Sequence, residues 1–218
     1  MPYSHVAHCQ LPGVEIHWWN LTEPSSQLQQ MCLEAGLPCQ CDAKAESRRR
    51  ELLAERLLLA RITGSTEVHI AHNADRAPHL EGLDCQVSIA HTRTQLCIAL
   101  GDGCHAMGID VENHGRNVAK VRDAFINDAE QQWLSPDDAL AHLVAWTAKE
   151  AMFKAVSVRD GMHYRDQLVL HPFATPAMGA TLRHSGEWLD VDFALITEVI
   201  PEHVLTIAWA LNAPMAQR

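Results

Sequence analysis

The chain has 218 residues, 47% hydrophobic and 20% charged, enough to bury a sizeable core and unlike the composition of a mainly disordered chain. Its 27 acidic and 17 basic side chains leave a formal net charge of −10, whereas a protein that grips nucleic-acid phosphates carries a basic excess. No apolar run approaches the roughly 18 residues that cross a bilayer, and the N-terminus lacks the basic start and apolar stretch of an export signal. The expectation is a cytoplasmic protein with no nucleic-acid and no membrane partner. The seven cysteines, an odd number without framework spacing, point to reduced thiols; Cys39-x-Cys41 lacks the two-residue spacer of a zinc knuckle.

In chain order, residues 1–22 read as strand material, with Val14, Ile16 and Trp18 alternating. A short helical stretch follows Pro24 and stops near Gly36-Leu37-Pro38. Residues 45–63 read as a strong helix, because Leu52, Leu53, Leu57, Leu58 and Ile62 recur at the 3–4 spacing of a buried face, with Gly64 as its C-cap. Residues 65–84 read as a polar loop. Cys85–His91 and Gln95–Leu100 form a hairpin across Thr92-Arg93-Thr94, and Met107–Glu112 resumes as a strand. Helices are predicted at about 117–125, 127–134 and 137–157. In the last, Leu140, Val144, Ala148, Ala151, Met152 and Ala155 share one arc, with Trp146, Glu150 and Lys154 opposite. The stretch 166–211 returns to strands, clearest at Leu189–Thr197 and Val204–Leu211. The predicted class is α+β: two similar halves, 1–105 and 106–218, related by a pseudo-twofold, each with a mainly antiparallel sheet packed on a long helix.

The chemistry concentrates in Asp110-x-Glu112 and in Lys149-Glu150 with Lys154. Side chains two apart on a strand project to one side, and residues four apart on a helix share a face. Asp110, Glu112 and Glu150 are thus three hard oxygen donors of the kind Mg²⁺ takes beside substrate phosphates. His91, at a strand end, is either a hydrogen-bonded structural imidazole or a phosphate contact, with Thr92 able to add a hydroxyl. Arg49 and Arg56, two helical turns apart, are either a solvated face or a bidentate clamp for a phosphate monoester.

Gly108-Ile109-Asp110-Val111-Glu112 followed by Trp146-x-x-Lys149-Glu150-Ala151-x-x-Lys154 resembles the paired signature of the 4'-phosphopantetheinyl transferase superfamily, in its larger single-chain, pseudo-dimeric branch. Ser88-Ile89-Ala90-His91-Thr92 with Pro78 is similar to the family's first motif, and Arg49-x-x-Leu52-Leu53-Ala54-x-Arg56 to its N-terminal helix. Arg116 and Phe125-x-x-x-x-Glu130 sit where the family has an Arg and a Phe…Glu. The resemblance implies an enzyme that moves the 4'-phosphopantetheine arm of coenzyme A onto a serine of an apo acyl- or peptidyl-carrier protein, releasing adenosine 3',5'-bisphosphate. It implies Mg²⁺ held by Asp110, Glu112 and Glu150, with Glu150, Lys154 and Asp110 as the catalytic set. It further implies coenzyme A contacts from Arg49, Arg56, Arg76, His91, Thr92, Lys149 and Lys154 at the junction of the halves, in a monomer. The family's Gly-Lys-Pro reads Arg76-Ala77-Pro78 here, and the serine before the histidine is Ala90. Competing readings are a Mg²⁺-dependent pyrophosphate hydrolase and a catalytically silent nucleotide-binding module.

Overall fold

A computed structural model describes residues 3–6, 13–74, 76–101, 106–156 and 162–212. They form an α+β protein whose sheets are antiparallel, divided into two compact units, Met1–Gly103 and Cys104–Arg218. No helix of the described residues is long and apolar enough to cross a membrane.

In the first unit, β1 (Tyr3–Val6), β2 (Val14–Asn20), β5 (Gln86–His91) and β6 (Gln95–Gly101) form a sheet in the order β1-β2-β6-β5. Helices α1 (Ser25–Glu34) and α2 (Glu46–Thr63) pack on each other, and α2 lies against β2 and β6. Leu53, Leu57 and Leu58 of α2 are buried with Trp19, Leu28 and Ile98. Gly64 closes α2 at φ 66, a left-handed conformation that glycine adopts without a Cβ penalty. The polar loop expected over 65–84 is instead a hairpin, β3 (His69–His72) paired with β4 (Pro78–Glu81). Strands of only four residues, HIAH and PHLE, show too little alternation to read as strands.

The second unit is a five-stranded sheet ordered β7-β11-β10-β9-β8, comprising β7 (Met107–Asn113), β8 (Leu168–Leu170), β9 (Thr181–Trp188), β10 (Val191–Val199) and β11 (His203–Ala210). Helix α3 (Ala139–Ala155) packs against β7 and β11. Asp138 caps it, its carboxylate accepting from Ala141 N at 2.9 Å. Nearly all round, α3 is buried; Trp146, Glu150, Phe153 and Lys154 form its partly exposed stripe. The helices expected at 117–125 and 127–134 are shorter and tighter: two 3₁₀ segments, Val118–Ala124 and Glu130–Gln132. Asn127 and Glu130 explain the second. Asn127 N donates to Glu130 Oε2, and Glu130 N donates to Asn127 Oδ1, both at 2.9 Å. Such side-chain bonds compete with continuous α-helix. A final short helix, α4 (Tyr164–Gln167), leads into β8.

Candidate active site

Register places Asp110 of β7 opposite Thr206 and Glu112 opposite Val204 of β11, so both acids rise on the face that α3 covers. The close approach of α3 needs Gly108: a Cβ there would lie 2.0 Å from the Ala151 carbonyl oxygen and 2.6 Å from Ala155 N. With that clearance, Lys154 Nζ donates to Asp110 Oδ1 at 2.8 Å and Trp146 Nε1 donates to Glu112 Oε1 at 3.0 Å. Arg116 also donates to Glu112 Oε1 and stacks 5.0 Å from the Trp146 ring. Phe125 meets that ring edge-on at 5.1 Å. On the next turn of α3, Glu150 Oε1 accepts from the Tyr164 hydroxyl at 2.9 Å.

In each of the three acids, then, donors from the protein engage one oxygen: Oδ1 of Asp110, Oε1 of Glu112 and Oε1 of Glu150. Asp110 Oδ2 is buried with no hydrogen-bond partner. Burial pushes the Asp110 carboxyl up to about 6; Lys154 pulls it down, and Glu112 and Glu150 push it up again. Those last two effects mark three like charges within electrostatic reach of one another. Among the described residues no three His, Cys, Asp or Glu side chains converge as a ready-made metal cage. The donor set fits Mg²⁺ in kind, since hard carboxylate oxygens are its usual protein ligands. The orphaned Asp110 oxygen is a buried acceptor costly to leave unsatisfied.

Lys149 is a correction to the expected phosphate contact. Its side chain is fully buried, one residue and thus about 100° round the helix from Glu150. Its Nζ donates to Phe125 O, to Glu130 Oε2 at 2.7 Å and to Arg165 O at 3.2 Å. These three acceptors use all three ammonium protons, leaving none for a ligand. Glu130 in turn accepts from Leu170 N at 2.8 Å. Between β7 and α3, Val118 and Phe125 are core and Val121 is exposed.

The remaining candidates lie in the first unit. Arg49 pairs with Glu46 at 2.8 Å. Arg56 donates from one guanidinium nitrogen to Pro38 O and Gln40 O, both at 2.8 Å, and so braces the approach to α2. Arg76 is exposed, at φ 66 in the β3–β4 turn. His91 faces Glu51 of α2 at 3.6 Å. The Thr92 hydroxyl accepts from Thr94 N and Gln95 N at 3.2 Å, which assigns it to the hairpin turn. Reading the sequence missed Trp146 Nε1 and Tyr164 as donors to the acids. Trp146 was visible, four residues before Glu150; for Tyr164 the sequence carries no signal.

No curated protein matches this chain. Residues 106–208 match the family model of the 4'-phosphopantetheinyl transferase superfamily, and this stretch carries Asp110, Glu112, Glu150 and Lys154.

Proposed function

We propose that the protein transfers the 4'-phosphopantetheine arm of coenzyme A to a serine of an apo acyl- or peptidyl-carrier protein. The serine oxygen bonds to the β-phosphorus, the bond from that phosphorus to the bridging oxygen breaks, and adenosine 3',5'-bisphosphate leaves with the electron pair. Glu150 accepts the serine proton; a base must first be within reach of its proton and then matched in basicity. Lys154 supplies positive charge toward the leaving phosphate, where catalysis of this type rests on charge neutralisation and alignment. Asp110, Glu112 and Glu150 would hold Mg²⁺, which when bound neutralises pyrophosphate charge. Arg49, Arg56, Arg76, His91 and Thr92 complete the reading as nucleotide contacts. Arg49 stays available to a ligand despite its pairing with Glu46, because exposed ion pairs contribute little and exchange cheaply. Each unit sets a long helix against an antiparallel sheet, which supports the reading of two similar halves.

The observation that carries this reading is a set of three acids, each fixed at one oxygen by a protein donor, beside Lys154 and within the stretch that matches the phosphopantetheinyl transferase superfamily model. Intact-mass analysis of several apo carriers after incubation with the protein, coenzyme A and Mg²⁺ tests it. The expected result is a mass gain of one phosphopantetheine, lost in Glu150→Gln at unchanged fold. Breakdown of coenzyme A without acceptor modification would replace transfer by hydrolysis.

A further inference from the structure

Tyr164 belongs to none of the signature motifs, yet its hydroxyl donates to Glu150 Oε1 at 2.9 Å. Glu150 sits on the partly exposed stripe of α3, where a glutamate with three rotatable bonds gains nothing from packing that would hold its carboxylate still. A tyrosine brings a donor on a rigid ring with only two side-chain torsions. That ring packs against Phe153 of the same helix, centroids 5.6 Å apart.

The backbone beneath Tyr164 is itself anchored from the core. Lys149 Nζ donates to the carbonyl of Arg165, the next residue, and Glu130 Oε1 accepts from Leu170 N at the far end of the same segment. The buried Lys149–Glu130 pair thus grips residues 165 and 170 together. A surface tyrosine that merely capped a turn would need no such double anchor. We infer that Tyr164 is the positioning residue for Glu150, holding Oε1 so that Oε2 is presented to the reacting serine, with the Lys149–Glu130 pair as the fixed base that sets its place. This rests on the reading of Glu150 given above.

Partners that orient functional carboxylates typically change activity about 10- to 100-fold when removed. Tyr164→Phe keeps the ring on Phe153 and deletes only the donor. With coenzyme A, Mg²⁺ and an apo carrier, it should lower kcat by about that factor, with KM for coenzyme A within about twofold and the thermal midpoint unchanged. A parental kcat in Tyr164→Phe, while Glu150→Gln is inactive, overturns the role of Tyr164 and leaves the transferase reading standing. A loss confined to the thermal midpoint or to KM does the same, since it marks a structural role. Full transfer by Glu150→Gln overturns both.

Discussion

At the residue scale, two lysines five apart on one helix do different work. Lys154 is partly exposed and meets Asp110; Lys149 is sealed in the core against Glu130. Burial pulls the Lys149 ammonium down, and the Glu130 carboxylate pushes it back up. Glu130 also serves two backbone N–H groups, of Asn127 and Leu170, so its charge is compensated on several sides. Removing one partner of a buried pair leaves the other charge stranded, at a cost of about 3–5 kcal/mol. Lys149→Met, which preserves apolar bulk, should destabilise the protein by that amount in urea unfolding. A change near zero would show that Glu130 is satisfied without the ammonium.

At the scale of elements, the seat of α3 on the second sheet is fixed by a close approach and by a buried hydroxyl chain. The approach runs through Gly108. The chain runs from His184 Nε2 to Thr197 (2.8 Å), to Thr206 (2.7 Å) and to Thr147 (2.9 Å), whose hydroxyl also contacts the carbonyls of Leu143 and Val144. Carbonyls only accept, so Thr147 donates to the helix and accepts from Thr206. The direction then propagates back to a proton on His184 Nε2. Gly108→Ala drives a methyl into the Ala151 carbonyl, which helix hydrogen bonding prevents from yielding freely. The expected cost is about 3 kcal/mol, the upper part of the overpacking range, together with lost activity, because Lys154 and Asp110 are displaced relative to each other. Parental stability in thermal unfolding would mean that α3 can shift outward.

Much of this element was legible. The 3–4 spacing of Val144, Ala148, Ala151 and Met152 named the buried side, and Trp146, Glu150 and Lys154 named the exposed one. The alternation in Asp110-x-Glu112 gave both acids one face. Illegible was whatever depends on partners far along the chain. Lys149 reads as a phosphate contact until Glu130 is folded beneath it, and Tyr164 acquires its role only through the anchoring of Arg165. The β3–β4 hairpin escaped because four-residue strands carry too few positions for a period to show.

At the scale of the whole molecule, the two units hold buried titratable groups of opposite kind, and their stabilities should respond to pH in opposite directions. In the second unit, burial lowers His184 and His203 to about 4 and lowers His142 as well. Unfolded histidine takes up its proton near 6.5. Between about 4 and 6.5 the unfolded state therefore binds more protons, and stability rises with pH through that window. Asp110, held up to about 6 by burial, opposes this as a single group against three histidines. In the first unit, burial raises Glu55 of α2 to about 7, against the pull of Arg48 and Arg56. There the folded state binds the extra proton, so stability falls as pH rises from about 4.5, the ordinary carboxyl value, to about 7. Hydrogen exchange at pH 5 and pH 7, corrected for intrinsic rates, resolves the two. Protection in the core of β9, β10 and β11 should increase toward neutral pH, while protection in α2 should decrease. Glu55→Gln should abolish the decrease in α2 and leave the sheet of the second unit unaffected; a parallel response of both units in the parent protein would contradict this division.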